Sequence, residues 1–357
     1  MDAIRQVAVF LKPYRRDAIL APLLMVLEVM MDLTLPFLMR RIIDLGIGGR
    51  NVPLVFETGL MMIGFGLVGA VGGVGCTVFA VRASMSYGAD LRSAVYRKVQ
   101  TLSFGNLDRL GTGQLVTRLT NDANQVQDLV LMALRILVRA PLLVVGSLIM
   151  AIVTSPRLAP LLAVLVPLLV VVLAVVIKRS FPLFYRLQAN LDRLNTTIQE
   201  NLAGVRVVKA FVRADHEEQR FGVANESLMG SSIRAMQFTA VVGPFMMLAL
   251  NGGVAAAIWF GGIEVYRGSM TVGEIVAFTE YLRETLMSLM MVSMLLMQLS
   301  RAAASAARIA EVLNTQPDVQ DRPDAQTTFP AGGRVAFENV SFAYDNGEPV
   351  LQDISFV

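Results

Sequence analysis

Hydrophobic positions in this chain gather into six long apolar stretches, at Ala18–Met39, Thr58–Val81, Ile136–Thr154, Leu158–Ile177, Ala240–Ile263 and Ile275–Leu299. Each is close to the ~20 residues that cross the hydrocarbon core of a bilayer as a helix. In lipid every backbone N–H and C=O must be satisfied within the segment, so these runs predict six membrane-spanning helices. A water-soluble bundle is excluded by the same pattern, because six uninterrupted apolar spans would leave it too little polar surface.

Between the second and third stretches, and again between the fourth and fifth, the chain turns polar but keeps a helical period. From Arg82 to Leu134 and from Lys178 to Thr239 apolar residues recur at three- and four-residue steps, as at Leu91, Val95, Val99 and Leu102, with few helix breakers. These segments predict helices that continue out of the membrane and reverse at short turns, Phe104–Gly113 in the first connector and Ala210–Glu218 in the second. Both connectors therefore read as long helical hairpins on one side of the bilayer. On the other side the connections at Ser155–Arg157 and around Glu264–Gly273 are short.

Composition agrees, since 55% hydrophobic and 17% charged residues with a mean hydropathy of +0.58 depart from ordinary soluble domains. The net charge of +3 does not point to nucleic acid, because the basic residues stand at helix ends without a clustered run. Lys12, Arg15, Arg16, Arg82, Lys178, Arg179, Arg301 and Arg308 flank the hairpin side, against Arg40, Arg41, Arg50, Arg157 and Arg267 on the other. Positive charge is retained on the cytoplasmic side, which places the hairpins and both termini there. The amphipathic segment Ala3–Tyr14 is expected to lie in the interface, and the first span is too long for a secretory signal and lacks its cleavage pattern. The single cysteine, Cys76, excludes an intrachain disulfide and reads as a small packing residue.

Beyond the sixth stretch the helical period continues through Arg301, Arg308 and Val312 and stops at Asn314. Residues 314–333 are rich in Pro, Asp and Gln, and past them Arg334–Phe342 and Val350–Val357 show strand patterning around an Asp345-Asn346-Gly347 turn. The expected organisation is an interfacial elbow at 1–16, a six-helix membrane domain at 17–313, a linker at 314–333 and the start of a β-containing domain at 334–357. The 24 residues of that last segment are too few to bury a core, so the strands are expected to open a larger domain cut short here.

Three ordered motifs carry a family resemblance. Gly111-Thr112-Gly113-Gln114-Leu115-Val116-Thr117-Arg118-Leu119-Thr120-Asn121-Asp122 resembles the segment after the first coupling helix of ATP-binding cassette (ABC) exporters. Glu200-Asn201-Leu202-Ala203-Gly204-Val205-Arg206-Val207-Val208-Lys209-Ala210-Phe211 is similar to the lead into their second coupling helix, and Phe337-Glu338-Asn339-Val340-Ser341-Phe342-Ala343-Tyr344 to the start of their nucleotide-binding domain. The likeness spans nearly the whole chain. It implies an all-α polytopic half-transporter of the exporter fold, six transmembrane helices with cytoplasmic extensions, followed by the β start of a nucleotide-binding domain. It further implies ATP with Mg2+, an ATPase in the full-length protein, and a second half-transporter as partner. The nearest pattern is one subunit of the bacterial heterodimeric multidrug exporters, multi-pass proteins of the plasma membrane that move hydrophobic small molecules outward by alternating access. Lipid flippases and peptide exporters of the same family are the rivals, and an ion-coupled transporter or channel is the rival from another class. No phosphate loop, magnesium-binding acid, signature motif or catalytic Glu follows Tyr344, so no catalytic or metal residue is assigned.

By the resemblance, Tyr344 matches the aromatic that stacks on adenine, and a flat ring offers the base a π-face. Residues Phe104–Leu110 and Ala210–Gln219 match the coupling segments that dock on nucleotide domains, with Phe104, Asp108, Arg109, Arg213 and Asp215 as contacts. Within the membrane, Glu28 and Asp32 lie four residues apart on one helix face. Two readings stay open: they attract a cationic compound, or they pair with Arg135, Arg139 or Arg283 as a structural lock. Met287, Met290, Met291, Met294 and Met297 form a polarizable stripe suited either to varied apolar ligands or to ordinary packing. Gly69 and Gly73, with Gly66, Gly72 and Gly75, offer a surface for close helix approach.

Overall fold

The computed structural model describes residues 2–320, 324, 332–343 and 348–357, without the side chains of residues 2, 173, 292–297 and 300. Helix α1 (Asp2–Ala8) and a 3₁₀ turn containing Pro13 lead into α2 (Arg15–Arg41). Helix α3 (Val52–Gln100) descends to two short helices, α4 (Phe104–Leu110) and α5 (Thr112–Thr117), and the chain returns as α6 (Ala123–Thr154). The second excursion is α7 (Ala159–Ala210) and α8 (Ala214–Ala240), after which α9 (Val242–Tyr266) and α10 (Val272–Asn314) complete the bundle. With 52 residues α7 is about 78 Å long at 1.5 Å per residue, more than twice the ~30 Å hydrocarbon thickness. Among the described residues five helical stretches are long and apolar enough to cross a membrane, and they hold the first five predicted spans to within a residue. The sixth predicted span lies in α10, part of whose side chains fall outside the described residues.

Glycines permit a close approach of α3 to α2. A Cβ on Gly72 would stand 3.1 Å from the Leu24 carbonyl oxygen, and one on Gly73 2.9 Å from a Glu28 carboxylate oxygen. Gly69 and Gly75 face Met31 and Leu24 in the same way, whereas Gly66 faces open space. Around this contact Ala21, Met25, Val29 and Leu33 of α2 pack with Cys76 and Ala80 of α3, Leu143 of α6 and Phe278, Tyr281 and Leu282 of α10. The buried Tyr281 hydroxyl donates to the Leu33 carbonyl (2.8 Å), which satisfies it without water.

A second core forms on the hairpin side, where Tyr87, Leu91 and Val95 of α3 meet Leu110, Leu115, Val126, Ile309 and Val312. Val7 of α1 joins this core, and Gln6 and Asn314 exchange amide hydrogen bonds of 2.7 and 3.0 Å that tie the chain start to the end of α10. Nearby, the Tyr14 hydroxyl donates to Asp90 (2.8 Å), and this hydrogen bond raises the phenol pKa above its ordinary value. On the short-loop side Asp44 accepts from Thr271 Oγ1 (2.6 Å) and the Gly273 amide (2.8 Å), fastening the end of α2 to the start of α10. There Ser269 and Arg267 hydrogen bond to Glu264 and hold its carboxyl below the usual range.

The α7–α8 hairpin packs mainly on itself. Asn190 donates to Ser231 (2.6 Å), Asn201 to Glu217 (3.1 Å), and Arg220 pairs with Glu200. Separately, β1 (Phe337–Ala343) and β2 (Pro349–Phe356) form an antiparallel pair in which Phe337 stacks on Phe356 with centroids 4.5 Å apart. Tyr344 and the Asp345-Asn346-Gly347 turn expected between the strands lie outside the described residues.

Candidate functional site

Three groups of chemistry-bearing residues lie along the bundle. The first is inside the membrane segments, where ionised side chains persist only with partners. Arg139 of α6 reaches across to α2 and pairs with both acids, through Nη1 to Glu28 and through Nη2 to Asp32 at 2.9 Å. The i, i+4 spacing puts the two carboxylates one helical turn apart, a separation that the two arms of one guanidinium span. Arg283 instead pairs with Glu280 of its own helix at 3.6 Å. Arg135, one turn before Arg139, forms neither an ion pair nor a hydrogen bond among the described residues, and its Nε is buried without a partner. Beside it a cavity of about 360 Å³ opens between α2, α3 and α6.

On α10, Met290 is half-buried against the membrane core, while Met287 and Met291 are exposed on the outside of the single chain. The Met294 and Met297 side chains lie outside the described residues.

The second group is at the tip of the first hairpin. Helix α4 is bounded on one side by Ser103 and Asn106, whose side chain closes the N-terminal turn, and on the other by Gly111 at φ 71°, a left-handed conformation that suits glycine. Asn106, 1% exposed, also reaches the segment after α10. Its Oδ1 accepts from the Ser103 amide (3.1 Å), the Ser103 hydroxyl (2.6 Å) and the Asp318 amide (3.1 Å), and its Nδ2 donates to the Gln316 carbonyl (3.2 Å). Arg109 pairs with Asp318 at 2.7 Å. Phe104 stands 86% exposed and Asp108 is also exposed, so α4 keeps an open outer face while its inner face holds the chain leaving α10.

The second hairpin is built differently. It reverses through Phe211, Val212 and Arg213, with Val212 in the left-handed region at φ 52°, and Arg213 directly precedes α8. No separate helix crosses this tip as α4 does the other. Phe211 (73%) and Val212 (86%) are exposed beside the exposed Arg213 and Asp215.

The third group joins the hairpin to α10. Asp122, at the end of the wide turn Arg118–Asp122 before α6, accepts from Arg308 Nε (2.8 Å) and Nη2 (2.5 Å). Burial alone would raise the Asp122 carboxyl, but hydrogen bonds from Arg308 and Ser305 and the charges of Arg308 and Arg118 hold it below the ordinary carboxylate range. In return Asp122 raises the Arg308 guanidinium pKa. Arg118 pairs with Glu311 at 2.8 Å. Sequence reasoning placed Asp122 inside a motif without a partner, and missed Asn106 and Asp318. The Ser103–Asn106 spacing was the one local signal for Asn106.

Long membrane helices that run on into paired polar hairpins, each with an open tip, define a polytopic transport domain. Residues 18–290 match the family model described as the ABC transporter transmembrane region. The ABC transporter ATP-binding protein YfiB of Bacillus subtilis is 34% identical over 348 residues, 97% of this chain and 60% of the relative. The fatty acid ABC transporter ATP-binding/permease protein of Mycobacterium bovis is 33% identical over 268 residues, 75% of this chain and 42% of the relative. An ATP-dependent lipid A-core flippase of Syntrophus aciditrophicus is 28% identical over 359 residues, 99% and 59%. The chain belongs to the ABC exporters, as the membrane part of a half-transporter. It spans about three fifths of the length of the first of these relatives, which matches 60% of its own length.

Proposed function

We propose that the full-length protein is an ATP-driven exporter of hydrophobic and amphipathic compounds, working by alternating access as one half of a dimer of unlike subunits. It would lie in the bacterial plasma membrane with both termini and both hairpins in the cytoplasm, in keeping with the basic residues on that side. The observation that carries the reading is the pair of hairpin tips. Both present exposed aromatic and charged side chains far from the apolar spans, a surface suited to docking on soluble domains. The domain division at 1–16, 17–313, 314–333 and 334–357 belongs to the same proposal.

ATP with Mg2+ supplies the force that closes two nucleotide domains when bound. Among the described residues no group of acidic, His or Cys side chains is placed to hold a metal ion, so magnesium finds no ligand set there, and adenine stacking on Tyr344 rests on the sequence motif. What the chain itself contributes is transmission. Asn106 holds α4 to residues 316 and 318, so a pull on the segment after α10 reaches the first hairpin directly. Changing Asn106 to Ala removes the acceptor for three part-buried hydrogen bonds, a loss of about 1–3 kcal/mol. Uptake is expected to fall more than ATP turnover does, and an equal fall in both would remove the transmission role.

The proposed cargo is the broad class of hydrophobic and amphipathic compounds, as in multidrug export, with a lipid flippase or peptide exporter as the alternative, and the names of two relatives keep amphiphiles in view. Dye uptake into inverted vesicles, with and without the unlike half-transporter, tests the reading. ATP-dependent uptake with both halves present is expected. Uptake by this protein alone would indicate a homodimer, and uptake driven by an ion gradient without ATP would overturn the proposal in favour of an ion-coupled transporter.

A further inference from the structure

The cavity between α2, α3 and α6 opens in the hairpin-side half of the predicted spans, from Glu28 near the middle of the first to Arg135 at the start of the third. Its walls include Met25 and Glu28 of α2, Gly73 and Thr77 of α3, and Arg135 and Arg139 of α6. Arg135 immediately precedes the third apolar stretch, and Thr77 stands four residues before the end of the second. A ligand whose polar end reached Arg135 would hold it near the depth where headgroups meet acyl chains.

The charges are unevenly satisfied. Glu28, the carboxylate in the cavity wall, is bound by Arg139, which also holds Asp32 outside it. The Arg135 guanidinium has no partner among the described residues, and its Nε is shut away from solvent. An unpaired arginine at membrane depth is costly unless something anionic shares the site. A guanidinium also has the fork geometry that carboxylates and phosphates match with two hydrogen bonds. Beside the cavity the exposed Val74 and Val78 of α3 offer an apolar track along the helix. The volume of about 360 Å³ falls within the range of roughly 300–1,000 Å³ typical of small-molecule sites.

We propose that this cavity binds the anionic headgroup of an acyl-chain amphiphile, with Arg135 as its charge partner and the chain lying against Val74 and Val78. The ligand is an acyl carboxylate or phosphate, and it enters sideways from the leaflet on the hairpin side. The proposal names the compound class for the export reading and rests on that reading only for the ligand's fate. Binding is therefore measured without ATP, so that failure of transport and failure of binding are told apart.

The test is native mass spectrometry of the full-length protein released from phosphatidylcholine nanodiscs, titrated with palmitate, with phosphatidylglycerol or with uncharged hexadecanol. For Arg135→Gln the affinity for an anionic probe is expected to fall at least about tenfold, while Arg135→Lys stays within about threefold and hexadecanol binding does not change. Dependence on Arg135 for palmitate identifies a single-chain acid, and dependence for phosphatidylglycerol alone identifies a bilayer lipid; either supports the headgroup site. Arg135 makes no hydrogen bond or ion pair among the described residues whose loss would unfold the chain, and a melting curve checks this. Val78→Trp, which keeps Arg135 and blocks the apolar track, is a second variant expected to weaken binding of both anions. Equal affinity of wild type and Arg135→Gln for both anionic probes would overturn the proposal, as would full binding by Val78→Trp.

Discussion

Replacing Arg139 with Leu is expected to destabilise the membrane bundle by about 3–5 kcal/mol, the cost of leaving buried charge without its partner. One guanidinium holds both Glu28 and Asp32, so the substitution strands two carboxylates at once. Two unpaired carboxylates one helical turn apart repel each other and draw in water, which weakens the contact between α2 and α6. Denaturant titration of the detergent-solubilised protein measures the loss. The triple variant Glu28→Gln/Asp32→Asn/Arg139→Gln removes the charges together and is expected to recover most of it. That recovery distinguishes a charge lock from simple loss of side-chain bulk. A loss below about 1 kcal/mol in Arg139→Leu would show that the pairs are marginal, and would return the acids to the role of attracting a cation.

The second large effect is expected outside the membrane, at Arg308. Its partner Asp122 has a side chain only 3% exposed, whereas Arg308 is about half exposed, so Arg308→Ala creates an unpaired buried carboxylate and little cavity. The cost is expected near the lower end of the same range, about 3 kcal/mol. A pH signature accompanies it. In the native protein the Asp122 carboxyl lies below its unfolded value of about 3.9, so its stabilisation is present above that pH and is lost as pH falls through the depressed folded value. Between neutral pH and about pH 5 the wild type should therefore show no loss from this group. Without Arg308, burial favours the protonated acid and raises its folded pKa, so the cost of the substitution is largest at neutral pH and is relieved as pH falls through the raised value, the opposite slope to wild type. Denaturation curves of both proteins from neutral to acid pH read this out, and parallel pH profiles would refute the pairing as the source.

These two predictions differ in how far they could be foreseen. The position of the spans followed from local pattern, because a run of about 20 apolar residues has one stable arrangement in lipid. The hairpins followed from the helical period of Leu91, Val95 and Val99, all of which lie in α3. Family membership was legible in motifs read in order. The shape of the two tips was only half legible: Phe104–Leu110 forms its own helix, while the chain at Val212 reverses in a tight left-handed turn.

Partnership across the chain was another matter. Spacing put Glu28 and Asp32 on one face, yet left Arg135, Arg139 and Arg283 equal as partners. The packing of α2 against α6 chose Arg139, left Arg283 to Glu280 and freed Arg135 beside a cavity. Asn106 meets Asp318 across 212 positions, and Asp122 meets Arg308 across 186. A helix face is dictated by neighbours three and four residues away, so it can be read in one dimension. Which face meets which, and hence which buried charge finds its counter-charge in a medium without water, depends on how all the helices pack together.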